Sequence, residues 1–471
     1  MSASGDLAMR DELLLQLRAF SQEHLLAFWD KLSGVQQANL AAQIQKIDFP
    51  EMEAMFERSK AQENLRKLAQ RAMPPLAVRI DSNDSPYTSE QARPLGERAL
   101  AEGKVGVALV AGGQGSRLGF DHPKGMYPVG PISDASLFEI LFAKILATGM
   151  RSGTAIPIYL MTSPATHEET VDYLKTNRWF GLAEEDVTVF CQGTLPAVDA
   201  STGKLLLSDR GSLFLSPDGH GGMLAALDRS GALADMQQRG IEHLFYFQVD
   251  NPIATVCDAY MIGCHILANS EYTLQVIAKQ DPEERVGNVV QVDGVTRIIE
   301  YSDLPADIAK VRNGDGSLKF WAGSIAVHVL DVGFLSRMTK LHNALPTHCA
   351  RKKVPFVDPA GQHVDPAEPN AIKYERFIFD LLPHAKCSLS VEVDPAVAFA
   401  PLKNASGAAT DTVEHVHHQM MDLHRSMLRE AGVQVENGCR VEISPLFAMT
   451  VDQLRGKITP GTSIVEETYF R

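Results

Sequence analysis

Apolar positions recur with the period of an α-helix over residues 6–73. Ser33 followed by Gln36 has the composition of a capping box, which marks the start of a second helix. Pro50 suits the first position of a third helix, which we expect to continue to about Ala72. The pattern predicts a helical N-terminal domain that serves packing or interaction rather than chemistry.

From Val105 onward, short apolar runs alternate with amphipathic segments. Alternation of this kind predicts a largely parallel sheet covered by helices, with ligand sites at the carboxyl ends of the strands. The predicted elements are a strand from residue 105, a helix over 137–150, a strand over 156–161, a helix over 166–179, and strands over 187–190 and 243–249.

The remainder of the chain predicts a hairpin over 287–301 with a turn at Asp293-Gly294, and a strand over 320–329. An amphipathic helix is expected within 370–382, with Lys373 near its start, and another over 412–430. We therefore expect three domains: a helical domain over 1–100, a catalytic domain over 101–385 and a small C-terminal domain over 386–471.

Glycines and cations follow the first of the apolar strands. Glycine lets the main chain approach a ligand closely, and its exposed N–H groups attract anions. Two cations in the same stretch add positive charge, so the loop is suited to a nucleoside triphosphate, although a tight turn with incidental charges is the alternative. The residues concerned are Gly112, Gly113, Gly115 and Gly119, with Arg117 and Lys124.

Two common phosphate-binding motifs are absent from this loop. A Walker A loop needs glycine before its lysine, whereas Lys124 follows Pro123. A dinucleotide fingerprint needs a third glycine where the chain has Leu118, which argues against an NAD-dependent dehydrogenase.

Three later loops follow predicted strands or turns and offer further chemistry. The Gln192 amide can pair with a base edge, or it is a solvated side chain in a turn. The glycine-dense loop containing Gly219 can admit a nucleoside, or it is a simple turn. Asp250 ends an apolar strand and can hold Mg²⁺, or it can cap a helix.

The composition is that of an ordinary globular protein with a formal net charge of −14, which argues against nucleic acid or an anionic membrane as the main partner. The six cysteines show no paired spacing and are expected to be reduced, although a zinc site at Cys257, Cys264 and His265 is conceivable. Since neither a signal peptide nor a membrane-length apolar run is evident, we expect a soluble cytoplasmic protein.

Residues 111–127 resemble the signature of nucleotidyltransferases that join a nucleoside triphosphate to a sugar 1-phosphate. With the continuation P-K-G-M-Y, they are similar to eukaryotic-type UDP-N-acetylhexosamine pyrophosphorylases, within the wider UDP-sugar pyrophosphorylase family. The resemblance implies a Rossmann-like, GT-A-like α/β fold with a mixed sheet, and Mg²⁺ as cofactor. Further similar segments are 161–163, 192–196, 217–219, 249–251, 300–302, 370–373 and 401–405, with a weaker one at 441–446.

The resemblance also implies a role for individual residues. The uridine would be held by Val110, Ala111, Gly112, Gly113, Gln192 and Gly219. The triphosphate would face Arg117, Lys124 and Lys373, and Asp250 would lie near the reacting phosphate with Mg²⁺. The sugar phosphate would contact Glu300, Tyr301 and Lys403.

Two departures from the family pattern fall on the sugar side. His220 stands where the family usually has asparagine, and Ser324 stands where it has the asparagine of G-N. The string Gly219-His220-Gly221 is instead similar to UDP-glucose and UDP-sugar pyrophosphorylases. We therefore expect a uridylyltransferase using UTP and N-acetylglucosamine 1-phosphate, with a UDP-glucose or broad-specificity enzyme, or a non-catalytic UDP-sugar sensor, as alternatives.

Overall fold

The computed structural model describes residues 3–60, 65–80, 85–341 and 344–471. Within them the α-helices are, in chain order, α1 (Ala3–Arg18), α2 (Gly34–Gln45), α3 (Phe49–Lys60), α4 (Leu65–Arg71), α5 (Ser89–Ala101), α6 (Leu137–Ser152), α7 (His167–Thr176), α8 (Met223–Arg229), α9 (Ala232–Gln238), α10 (Ala259–Leu267), α11 (Ala306–Ala309), α12 (Val332–Thr339), α13 (Pro395–Ala398), α14 (Val413–Glu430) and α15 (Val451–Lys457).

The strands of the same residues are, in chain order, β1 (Ala77–Val78), β2 (Val105–Val110), β3 (Ile158–Thr162), β4 (Val187–Cys191), β5 (Thr194–Pro196), β6 (Val198–Asp199), β7 (Leu207–Asp209), β8 (Ser212–Leu213), β9 (Leu215–Pro217), β10 (His243–Gln248), β11 (Tyr272–Ala278), β12 (Gly287–Val292), β13 (Val295–Ile299), β14 (Ala322–Asp331), β15 (His348–Lys352), β16 (Phe356–Val357), β17 (His363–Val364), β18 (Ala371–Glu375), β19 (Ser388–Glu392), β20 (Gln434–Val435), β21 (Val441–Ile443), β22 (Ser463–Ile464) and β23 (Thr468–Phe470).

The chain forms two compact units. The smaller unit consists of Met1–Asn64, Gly193–Met223 and Leu345–Ile378, and the larger unit of Leu65–Gln192, Leu224–Ala344 and Phe379–Arg471. These limits differ from the three expected domains, whose boundaries at residues 100 and 385 stay a prediction.

The larger unit is built on a mixed ten-stranded sheet, as the predicted fold class requires. Its strand order is β1-β19-β11-β14-β10-β2-β3-β4, with the hairpin β12–β13 joined to β14 through β12. Strands β10, β2, β3 and β4 are mutually parallel, and so are β11, β19 and β1. The expectation of a largely parallel sheet is wrong at the centre, where β14 is antiparallel to both neighbours. Between the hairpin and β14 the chain passes through residues 300–321, which include the short helix α11, and β12 then pairs antiparallel with β14.

One face of this sheet carries the main apolar core. Phe245 and Phe247 of β10 are fully buried, as are Val107 and Leu109 of β2. Helix α6 covers them with a run of buried apolar side chains and begins at Ser136, whose hydroxyl accepts a hydrogen bond from the Glu139 backbone. Burial of this amphipathic helix fixes the position of the chain that precedes it. That part of the chain includes the loop with the predicted phosphate-binding residues.

The smaller unit packs α1–α3 against short β-ribbons. Leu17, Trp29 and Leu40 share an apolar cluster with Leu213 of β8 and Tyr374 of β18. The capping box of Ser33 and Gln36 at the start of α2 is confirmed. Within the range of the third predicted helix the structure describes α3, to Lys60, and α4, from Leu65; residues 61–64 between them lie outside the described residues.

The structure corrects the element assigned to Lys373. This residue lies on strand β18, which pairs antiparallel with β15, and not at the start of a helix. Its neighbours Ile372 and Tyr374 are both buried. This spacing of apolar residues also suited a short helix, but in the structure the segment pairs with a neighbouring strand instead. A 3-10 turn over Ile378–His384 follows the strand.

The hairpin and the late helix are confirmed. In the turn between β12 and β13, Asp293 and Gly294 both have positive φ, at 53° and 80°, as a type I′ turn requires. Helix α14 covers the predicted range 412–430, with Thr412 as its N-cap residue. Among the described residues, no helix combines the length and apolar character needed to cross a membrane.

Candidate active site

The carboxyl ends of three adjacent parallel strands bring the predicted uridine residues together. After β2, the Ala111 amide donates to Met161 O at 2.8 Å, and after β4 the Gln192 amide donates to Thr162 O at 2.9 Å. A Cβ placed on Gly112 would lie 3.3 Å from Gln192 Oε1, so the buried Gln192 side chain lies directly against the glycine backbone. Val110, Ala111, Gly112 and Gln192 therefore share one edge of the sheet.

The glycine-rich loop after β2 folds back on itself. The Lys124 amide donates to Gly113 O at 3.0 Å, and the Gly115 amide donates to His122 O at 2.9 Å. These bonds return Lys124 to the start of the loop although eleven positions separate it from Gly113. Arg117 lies on a short 3-10 turn between them and its side chain is exposed. The loop thus presents one exposed and one half-buried cation.

Glycines of this loop are required for different reasons. A Cβ on Gly125 would lie 2.2 Å from the Phe138 ring, so this glycine is needed for packing against α6. A Cβ on Gly113 would meet no heavy atom within 4 Å, and the φ of Gly113 is not in the left-handed region. Neither packing nor a left-handed backbone requires glycine at position 113, and close approach of a ligand to its main chain stays the prediction.

Lys124 and Asp250 meet across the sheet edge. Lys124 Nζ lies 3.4 Å from Asp250 Oδ2, and the two side chains are only 16% and 15% exposed. Asp250 follows β10, the neighbour of β2 in the sheet, so the register of two parallel strands places the carboxylate beside the glycine-rich loop. The sequence predicted Lys124 and Asp250 separately as site residues. Their contact with each other depends on the register of β2 with β10.

Asn251 has a role that the sequence reasoning missed. Its buried amide donates to Ala398 O at 2.7 Å and accepts from the Ala400 amide at 3.1 Å, while Asp250 O accepts from the Leu402 amide at 2.8 Å. These bonds fix the segment that carries Lys403 to the end of β10. The partners lie about 150 positions further along the chain, so no local signal could have identified them.

Glu300 and Ser324, the residue that departs from the family pattern, lie on one face of the sheet. Gly287 of β12 pairs with Ser324 of β14, and cross-strand partners share a face. Glu300 Oε1 lies 3.3 Å from where a Cβ on Gly287 would be. Tyr301, the next residue, is 46% exposed. The structure thus brings Glu300 and Ser324 close to Gly287, where the Ile298 side chain also lies, 2.6 Å from the position of a Cβ.

The remaining candidates belong to the smaller unit. Gly219 has φ 83°, and a Cβ there would lie 2.5 Å from Arg376 O, so the loop packs tightly against the chain just after β18 and Lys373. Lys373 Nζ lies 4.8 Å from the centre of the Phe214 ring, and burial lowers the pKa of Lys373 below its ordinary value. Gly219 and Lys373 therefore lie on two segments in direct contact.

His220 is a half-buried, desolvated side chain in this unit. Burial, assisted by the charge of His348, lowers the pKa of His220 to about 4. The Ile378 amide donates to His220 Nδ1 at 3.3 Å, which leaves the ring proton of the neutral form on Nε2. The ring stacks on Phe377, with 5.2 Å between centroids. His220 therefore differs from the asparagine of the family pattern in both shape and donor capacity.

The residues present are compatible with Mg²⁺. Asp250 offers one partly accessible carboxylate, and Mg²⁺ commonly binds through one or two carboxylates together with waters and substrate phosphates. Among the residues that the structure describes, no group of three or more His, Cys, Asp or Glu side chains is arranged to hold a metal ion, and this includes Cys257, Cys264 and His265. The arrangement suits a metal shared with substrate rather than a protein cage such as a structural zinc site.

Comparison with known proteins identifies the family. The model described as UTP–glucose-1-phosphate uridylyltransferase (UDPGP) matches residues 50–466. A human protein named UDP-N-acetylhexosamine pyrophosphorylase-like protein 1 is 35% identical over 91% of this chain and 87% of its own length. The Saccharomyces cerevisiae UDP-N-acetylglucosamine pyrophosphorylase is 33% identical over 95% of this chain and 97% of its own.

A solved structure extends the similarity to the fold. The crystal structure of the uridine diphosphate N-acetylglucosamine pyrophosphorylase from Trypanosoma brucei, in complex with an inhibitor, has a TM-score of 0.82 and 26% identity, covering 98% of each chain. The glycine-rich loop and the Asp250 carboxylate after β10 fit the family that these similarities indicate. The chain belongs to the UDPGP family of uridylyltransferases, the UDP-sugar pyrophosphorylases.

Proposed function

We propose that the chain transfers a uridylyl group from UTP to N-acetylglucosamine 1-phosphate, giving UDP-N-acetylglucosamine and pyrophosphate. The observation that carries the proposal is the 3.4 Å approach of Lys124 Nζ to Asp250 Oδ2 beside the glycine-rich loop. The names of the human and yeast relatives support the N-acetylhexosamine class of sugar.

A phosphate oxygen of the sugar 1-phosphate attacks the α-phosphorus of UTP in line. A new bond forms between this oxygen and phosphorus, and the bond from the α-phosphorus to the α–β bridging oxygen breaks, so that its electron pair leaves with pyrophosphate. The nucleophile is already an anion at neutral pH and needs no general base. Catalysis consists of positioning two mutually repelling anions and neutralising their charge.

Each part of this site has an assigned task. The main chain at Gly112 and Gly113, the Gln192 amide and Gly219 are assigned to the uridine. Arg117 and Lys124 neutralise the departing pyrophosphate, while Lys373 and Lys403 orient the incoming phosphate. Asp250 would hold Mg²⁺, which supplies charge neutralisation to the phosphate oxygens when bound.

The proposal is tested by incubating the full chain with UTP, Mg²⁺ and one of four sugar 1-phosphates, and measuring pyrophosphate. The four sugars are N-acetylglucosamine, N-acetylgalactosamine, glucose and galactose. We expect fastest release with N-acetylglucosamine 1-phosphate. Faster release with glucose 1-phosphate would contradict the proposed sugar and favour the UDP-glucose alternative. Binding of UDP-sugars without any pyrophosphate would indicate the sensor instead.

The compartment is also a proposal. A cytoplasmic location is consistent with the six cysteines, none of which forms a disulfide among the residues that the structure describes. Localisation of the tagged full chain in cells checks it.

A further inference from the structure

Two adjoining cavities of the larger unit lie away from the proposed substrate residues. Their volumes are about 390 and 230 Å³, and they lie between α6, α14 and the segment 252–258 that follows Asn251. None of the residues assigned above to uridine, phosphate or sugar lines either cavity. The larger one falls in the range of roughly 300–1,000 Å³ that is typical of small-molecule sites. Residues common to both cavities are Lys144, Ile253, Leu423, His424, Ile443 and Pro445.

Lys144 is a half-buried cation that lines both cavities. Its Nζ donates to Ala254 O at 2.9 Å, and it forms no ion pair with any residue that the structure describes. Desolvation lowers the pKa of Lys144 to about 7. An ammonium group has three donors, so a single carbonyl satisfies it only in part. Because a partly desolvated charge without an ion-pair partner is costly, this position favours an anionic partner.

The carboxylates that line the cavities are engaged elsewhere or exposed. Glu442 accepts hydrogen bonds from the Ile132 amide and from both the amide and the hydroxyl of Ser133, at 2.6–2.8 Å. Asp258 accepts from the Tyr260 amide at the start of α10. Glu139 is exposed to solvent. None of the three is in an ion pair with Lys144, so the negative charge it favours is not supplied by the described protein.

Other groups around the cavities add positive charge or apolar surface. Arg93 and Arg151 line the smaller cavity. His424 lies beside Lys144 and accepts from the Ile443 amide at 3.3 Å. Ile253 and Leu423 supply apolar walls. A ligand that matches this lining has an anionic head and an apolar body.

We propose that this cavity binds a small organic anion, with its carboxylate or phosphate head on Lys144 and its apolar body against Ile253, Leu423 and Ile443. Such a ligand would compete with Ala254 O for the Lys144 ammonium. Ala254 lies four positions after Asp250, in the segment that leads from the proposed magnesium-binding carboxylate into α10.

Isothermal titration of the full chain with hexanoate, hexyl phosphate, hexanol and hexylammonium tests the proposal. We expect one or both anions to bind at least tenfold more tightly than the alcohol and the amine, and the better anion identifies the head group. Equal affinity for hexanol, or no binding of either anion, would overturn the proposal. This comparison uses the unaltered chain and does not depend on a variant folding.

A matched pair of variants assigns the binding to the cavity. Lys144→Met keeps the length of the side chain and removes its charge, and we expect it to weaken anion binding at least tenfold. Lys175→Met, at an exposed position on α7, should bind as the unaltered chain does. Unchanged affinity in a folded Lys144→Met protein would contradict the site.

Proton uptake is a readout that a purely structural lysine would not give. Because Lys144 has a pKa of about 7, a bound anion should raise its pKa and draw a proton from the buffer at pH 7–8. The measured heat should then change with the ionisation enthalpy of the buffer. Binding is read without catalysis, so these results stand or fail separately from the proposed transferase activity.

Discussion

Lys124 Nζ lies 3.4 Å from Asp250 Oδ2, at the edge where β2 and β10 end side by side. The distance is long for a fixed ion pair, and both groups keep some access to solvent. A loose pair of this kind can open to admit phosphate oxygens to the lysine and a cation to the carboxylate.

Lys124→Ala should lower turnover by roughly 10²–10³, because it removes a charge that stabilises the departing pyrophosphate. The fold should persist, since the side chain is not part of the apolar core. Steady-state pyrophosphate release checks the rate and circular dichroism checks the fold. Lys175→Ala, on the exposed side of α7, is the control. Near-normal turnover in Lys124→Ala would remove the assigned role.

Asp250→Asn should raise the Mg²⁺ concentration needed for half-maximal activity and lower the maximal rate. The amide keeps the size of the side chain but is a weaker ligand for a hard cation. A Mg²⁺ titration of the activity measures both effects, with Asp228→Asn at an exposed position of α8 as the control. An unchanged Mg²⁺ dependence would show that another group binds the metal.

Gly113→Ala and Gly125→Ala separate ligand binding from packing within one loop. The open space around Gly113 predicts unchanged stability but weaker UTP binding, because a methyl group would stand where the ligand approaches. The Phe138 ring at 2.2 Å from a Cβ on Gly125 predicts a loss of stability of about 1–3 kcal/mol from overpacking. Thermal unfolding and UTP titration distinguish the two. Equal destabilisation by both variants would contradict this division.

Ser324→Asn should increase the preference for N-acetylglucosamine 1-phosphate over glucose 1-phosphate, by up to about tenfold if one hydrogen bond is gained. The added amide would lie beside Gly287, whose lack of a side chain leaves Ser324 and Glu300 on the same face of the sheet. The ratio of kcat/KM for the two sugars is the measurement. Ser324→Ala, which removes the hydroxyl without adding an amide, should not show the increase.

The desolvated side chain of His424 predicts a loss of stability in acid. Burial and the Lys144 charge lower the pKa of His424 to about 4. The unfolded chain binds the proton near the ordinary value of about 6.5, so the free energy of unfolding falls as the pH drops from about 6.5 towards 4. The difference corresponds to roughly 3 kcal/mol for this one residue.

His424→Gln keeps an acceptor for the Ile443 amide and removes the titration, so its stability should depend less steeply on pH over that interval. Urea unfolding at several pH values between 7 and 4 measures the slope. His363→Gln, at an exposed site, should leave the slope unchanged.

Local chemistry in the sequence determined much of the architecture. The capping box at Ser33 and Gln36, the Asp293-Gly294 turn and the apolar runs of β2 and β10 each form as predicted, because turn, cap and periodicity signals act over a few residues. The resemblance of residues 111–127 to the nucleotidyltransferase signature likewise indicated the family, which is confirmed, whereas the triphosphate site at the glycine-rich loop stays a prediction.

The tertiary structure alone decided which distant groups meet. The register of β2 with β10 brings Lys124 to Asp250, and the Asn251 amide ties the segment of Lys403 to the same edge. The direction of β14 and the strand conformation at Lys373 depend on pairing partners far along the chain. Such contacts are fixed by burial and cross-strand hydrogen bonding, which leave no signature in the neighbouring residues.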